Sequence, residues 1–177
     1  MPTVAASVTE LLALLRPAAS VAAGRLVVAD EALFRSTTIR DLAWTSAFAS
    51  DEATVEAARW LVWEASIELG AHSASIQDLY LARSRGEVHG FTVPAINLRA
   101  QTFDMARTIF ETAAEGGVGA VILELARSEQ TYTFQRPAEY ATSVLAGAIA
   151  ANWQHPVFVQ GDTTSSTWPS TRPTRRR

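Results

Sequence analysis

An α/β chain is what the sequence predicts, and three observations predict it. Up to about residue 85 the apolar residues recur at helical spacing, and after Gly86 short strand-like runs alternate with helical stretches. The run at 120–125, Ala-Val-Ile-Leu-Glu-Leu, is nearly continuous in apolar residues, as in strands that a parallel sheet buries on both faces. An order of β-α-β-α-β in the second half then implies a right-handed parallel sheet behind a helical N-terminal extension.

The elements follow in chain order. Ser7-Val8-Thr9-Glu10 has the capping-box spacing ahead of Leu11, Leu12, Leu14 and Leu15, and Pro17 limits that helix. Asp51 and Glu52 open a second helix, whose Val55, Ala58, Leu61, Val62, Ala65 and Leu69 form one face before Gly70 stops it. A shorter helix is expected over 76–83, closed by Gly86. Next come a strand over 91–98, a helix capped by Thr102 and ended by Gly116-Gly117, and the strand at 120–125. Residues 126–136 read as a loop. Pro137 suits the first turn of a helix reaching about residue 152, and 156–160 form a third strand.

Composition excludes several classes of protein. Hydrophobic residues make up 48% and charged residues 19%, enough apolar material for a core and too little charge for a disordered chain. With no cysteine, disulfides, thiolate metal sites and cysteine nucleophiles are all excluded. All 15 basic residues are Arg, and residues 1–162 carry 11 of them against 18 Asp and Glu. An acidic body argues against nucleic acid as the main partner. No apolar run approaches the roughly 20 residues needed to cross a bilayer, and the N-terminus lacks a signal pattern. The expectation is therefore a cytoplasmic protein with no membrane partner.

In a parallel α/β unit, chemistry collects at the carboxyl ends of the strands. Those positions are Asn97, Glu124 with Ala126, and Asp162. An Asn can hydrogen-bond a sugar hydroxyl or a phosphate, and an Asp can transfer a proton. The structural alternative is that Asn97 caps a turn and Asp162 is a loop residue. His72, His89 and His155 read as ordinary polar residues, His155 lying before its strand and so at the opposite end of the sheet. Gly116-Gly117-Val118-Gly119 follows a helix and precedes a strand, the reverse of a phosphate-binding turn.

Three ordered motifs carry a resemblance: Phe91-Thr92-Val93-Pro94-Ala95-Ile96-Asn97, Ala120-Val121-Ile122-Leu123-Glu124-Leu125-Ala126-Arg127-Ser128-Glu129, and His155-Pro156-Val157-Phe158-Val159-Gln160-Gly161-Asp162. Over residues 90–162 the chain resembles the first three strands of class II, metal-dependent fructose-bisphosphate aldolases. The resemblance implies a (β/α)8 TIM barrel in which zinc polarises the carbonyl of a ketose bisphosphate of fructose or tagatose type, a sugar-phosphate substrate. In that pattern Asp162 is the catalytic proton-transfer residue and Asn97 binds substrate. The metal-binding His expected next is Thr163, and a Ser often found at the end of the second strand is Ala126. No metal ligand is therefore assigned, and this chain is expected to bind no zinc.

The expected organisation is a helical extension over 1–85, a partial barrel over 86–162 and a tail over 163–177. A whole barrel takes about 250 residues, so three βα units are expected to form an inactive truncation, one prone to form a homo-oligomer. The tail uses only Thr, Ser, Trp, Pro and Arg, the composition of a disordered end. A change of reading frame would also explain it: one cytosine restored after the Asp162 codon makes the next codon His, whatever codon Thr163 uses. The functional reading of the tail is a basic segment for RNA or acidic partners, and the alternative function is a non-catalytic helical and α/β interaction protein with that Arg-rich tail.

Overall fold

Ser7 accepts the Glu10 N–H at 3.3 Å and opens α1 (Val8–Leu14), while the Glu10 carboxylate reaches back past the cap to the Ala6 N–H at 2.8 Å. The computed structural model describes residues 1–162. The expectations for 163–177, a disordered tail and a changed frame, lie outside the described residues.

The wholly helical reading of the first 85 residues is corrected by a β-hairpin. Strands β1 (Ala19–Ala22) and β2 (Arg25–Val28) pair antiparallel around Ala23 and Gly24, both at positive φ. Two consecutive positive-φ residues make the turn whose twist suits a two-residue hairpin. Its sequence, Ala-Gly, lacks the Asn or Asp that signals such turns. Ala19 of β1 and Leu26 of β2 are buried and the other hairpin side chains are not, so the hairpin contributes two residues to the core.

The helical run from Glu31 to Phe48 consists of α2 (Glu31–Leu33), a π-helical turn (Phe34–Thr38) and α3 (Ile39–Phe48). Asp51 then caps α4 (Glu52–Glu68) by accepting the Thr54 N–H at 2.9 Å, and Gly70, at φ +81°, ends it. Helix α5 (Gln77–Ser84) follows and stops before Gly86, as expected.

The second half forms the expected parallel sheet, with β3 (Ala95–Asn97), β4 (Ile122–Ala126) and β5 (Phe158–Asp162) in the order β3-β4-β5. The central strand buries Ile122, Leu123, Leu125 and Ala126, which explains its continuous apolar run. The first strand is shorter than expected. Its partner Ile122 donates to the Pro94 carbonyl, and Pro94 itself has no N–H to give. Helix α6 (Thr102–Glu115) joins β3 to β4. Thr102 does not cap it: the N-cap is Gln101, at φ +49°. The expected loop after β4 contains a helix, α7 (Arg127–Tyr132), before α8 (Pro137–Ala150).

Helix α8 is buried almost all round, because β4 and α6 lie against it on one side and α3 and α4 on the other. Gly147 permits the closest approach: a Cβ there would stand 2.8 Å from the Arg107 nitrogen and 2.9 Å from the Phe103 carbonyl of α6. Arg35 fastens the other end of α8, donating to the Ile149 carbonyl at 2.7 Å and to the Leu69 carbonyl at 3.3 Å. One hydrophobic cluster therefore contains Leu11, Leu42 and Leu61 together with Phe110, Leu123, Ile149 and Trp153. Ser73 also bridges in parallel to Val157, just ahead of β5. Among the described residues no helix is long and apolar enough to cross a membrane.

Candidate functional site

Parallel register brings the carboxyl ends of the strands to one edge. Asn97 lies beside Glu124 and Glu124 beside Gln160, while Ala126 lies beside Asp162 one turn of the pleat further on. The backbone thus gathers Asn97, Glu124, Ala126 and Asp162, which the sequence singled out. Gln160 donates its side-chain amide to the Glu124 carboxylate, tying the second and third strands together at this edge.

At the centre of the edge is a residue the sequence reading missed as a site residue. Glu129, in the first turn of α7, is only 4% exposed. Its carboxylate accepts the Ala126 N–H at 2.9 Å, the Asn97 side-chain N–H at 3.1 Å and the Arg99 Nε–H at 2.6 Å. Burial pushes this carboxyl up, but the three donors outweigh burial and hold it below the ordinary carboxylate value. Arg99, the other missed residue, keeps more than half of its side chain exposed at the same edge. The signal for Glu129 was its spacing, three residues past the strand end, where a helix-opening Glu reaches back to the N-cap N–H.

Tyr140 supports the edge from below. It is 1% exposed and its hydroxyl donates to the Glu124 carbonyl at 2.7 Å. Burial pushes its pKa up, so the hydroxyl remains a donor throughout the physiological range.

Neither a family model, nor a curated protein, nor a solved structure matches this chain. The site must therefore be read from its own chemistry. It offers a carboxylate already committed to three donors, an exposed guanidinium beside it, and an Asn held in place by the same carboxylate. Such an edge can bind an anionic or hydroxylated ligand.

The described residues do not fit a zinc ion. No group of three or more His, Asp or Glu among them is placed to hold a metal. His72, His89 and His155 are exposed, and the Trp153 ring meets His155 edge-on at 5.0 Å, ahead of β5 and away from the carboxyl edge.

Proposed function

We propose that residues 90–162 are the first three strands of a barrel related to class II aldolases, with the helices between them, and with a ketose bisphosphate as the substrate of the intact architecture. This chain by itself is inactive in that reading. The observation that carries it is the order β3-β4-β5, parallel throughout, with Asn97, Glu124 and Ala126, and Asp162 ending the three strands at one edge. Asn97 would bind a substrate oxygen, its orientation set by Glu129, and Arg99 would offer positive charge to a phosphate. Asp162 would move the proton.

The test is a repaired gene, in which one nucleotide restored after the Asp162 codon places His at 163 and the chain continues in that frame. The product is expected to cleave a ketose bisphosphate in a metal-dependent way. Asp162→Ala in it should lower turnover by roughly 10²- to 10⁴-fold. A closed frame after Asp162, or a repaired protein without cleavage, overturns the reading.

One observation favours a non-catalytic interaction protein instead. Trp60, Trp63 and Ile67 form an exposed apolar row on α4, at 38%, 50% and 50% exposure. The gene repair separates the two readings, since an interaction protein keeps residues 163–177 as its own tail and gains no cleavage activity from the restored frame.

A further inference from the structure

A cavity of about 390 Å³ lies between the end of α3 and the first turns of α6 and α8, within the usual size range of small-molecule sites. It is separate from the Asn97–Glu129 edge and has a different chemistry. One wall is aromatic: the Trp44 and Phe48 rings, with centroids 5.1 Å apart, meet at 45°. The floor is polar, with the Thr102 hydroxyl donating to the Gln135 side-chain oxygen at 2.9 Å. Glu139 and Ser143, one helical turn apart on α8, complete it.

Two groups in this cavity lack a proper partner. Ser143 is only 5% exposed, and no hydrogen bond within the described residues uses its hydroxyl. Glu139 is half-buried and forms no ion pair among the described residues; its only side-chain hydrogen bond there is a long one of 3.5 Å, from the Gln135 amide. Burial raises its carboxyl above the ordinary value, against the pull of the Gln135 hydrogen bond and the Arg59 charge. A partly desolvated carboxylate, one helical turn from a hydroxyl with no hydrogen bond among the described residues, is stabilised by a cation that donates hydrogen bonds. No Arg or His lines the cavity. The helix N-termini that open into it would favour an anion, but their first turns already hold Asp104 and Glu139. Asp104 is the lesser anchor, since Arg107 stands 3.9 Å from it.

We infer that this cavity binds a small organic ammonium ion, its N–H groups on Glu139 and Ser143 and its apolar body against Trp44 and Phe48. Aromatic faces and a carboxylate are the two features that recognise such cations. Nothing in this inference depends on the aldolase reading.

Calorimetric titration of the full chain tests it with three probes that share one body: phenethylammonium, neutral 2-phenylethanol and anionic 3-phenylpropionate. Phenethylammonium should bind saturably at one site, at least ~10-fold more tightly than either of the others, as a charge-assisted hydrogen bond requires. Glu139→Gln should remove that preference for the cation. Phe48→Ala, at a side chain 65% exposed and outside the core, keeps the test valid should Glu139→Gln unfold, and should weaken phenethylammonium ~3-fold or more. No saturable binding up to about 10 mM, tighter binding of 3-phenylpropionate, or an affinity indifferent to both substitutions overturns the inference.

Discussion

The Asn97 side-chain amide donates to the Glu129 carboxylate at 3.1 Å, across a sequence separation of 32 residues. This bond joins the end of β3 to the start of α7, so the first two strands of the parallel sheet are locked together at the edge where the site is proposed. Since Glu129 also takes the Ala126 N–H and Arg99, one buried carboxylate organises the backbone and two polar side chains at once.

Removing that carboxylate should loosen the edge. Glu129→Ala leaves the buried Ala126 N–H without an acceptor and should destabilise the fold by about 1–3 kcal/mol, the usual penalty for an orphaned buried donor. Urea unfolding at neutral pH measures it, and a change below a few tenths of a kcal/mol would contradict the role given to Glu129.

The same residue gives an acid dependence. Its folded pKa lies below the ordinary 4.5, so its stabilising contribution is complete above that value and is lost as pH falls through the folded pKa. Between about pH 5 and the folded value, the wild-type chain should lose more stability than Glu129→Gln, which has no proton to take up there. Parallel loss in both proteins would assign the acid sensitivity elsewhere.

Gly147→Ala should destabilise although alanine is the better helix former. A methyl at 147 would stand 2.8 Å from the Arg107 nitrogen, and overpacking of about 1–3 kcal/mol exceeds the ~1 kcal/mol gained from helix propensity. A raised melting temperature would show that α6 and α8 can move apart freely.

Arg35→Met should separate the ends of α4 and α8. The guanidinium donates to one carbonyl at the end of each helix from a side chain only 9% exposed, and losing charged hydrogen bonds of this kind removes about 1.5–3 kcal/mol. Hydrogen exchange should quicken first in the last turns of these two helices.

Zinc supplies a fifth measurement. Purified chain, with no group of metal-ligating residues placed together in the described part, should take up less than one equivalent by elemental analysis. Tight stoichiometric zinc would overturn this expectation, because residues 163–177 contain no His, Asp or Glu to complete a site.

The legible elements were those whose signal is local. Ser7, Asp51, Gly70 and Pro137 mark helix ends by satisfying, or by no longer needing, the backbone groups of a single turn. The continuous apolar run of β4 likewise announced a strand buried on both faces. The hairpin at Ala23-Gly24 was not legible, because alanine at φ +50° is held there by strand pairing and not by its own preference. Helix α7 was missed because its six polar residues carry no apolar period. Its stability comes from Glu129, whose donors lie on other elements.

By itself the sequence marked several helix ends, at Ser7, Asp51, Gly70 and Pro137, and a β-α-β-α-β order that would produce a parallel sheet with Asn97 and Asp162 near the carboxyl ends of its outer strands. Tertiary structure decided what those ends touch. The buried clamp of Glu129 on Asn97, and the seating of α3 and α4 against α8, depend on contacts between residues tens of positions apart, whose energies exist only after the chain has closed. Periodicity records which face of a helix is apolar, but not which neighbour will cover it.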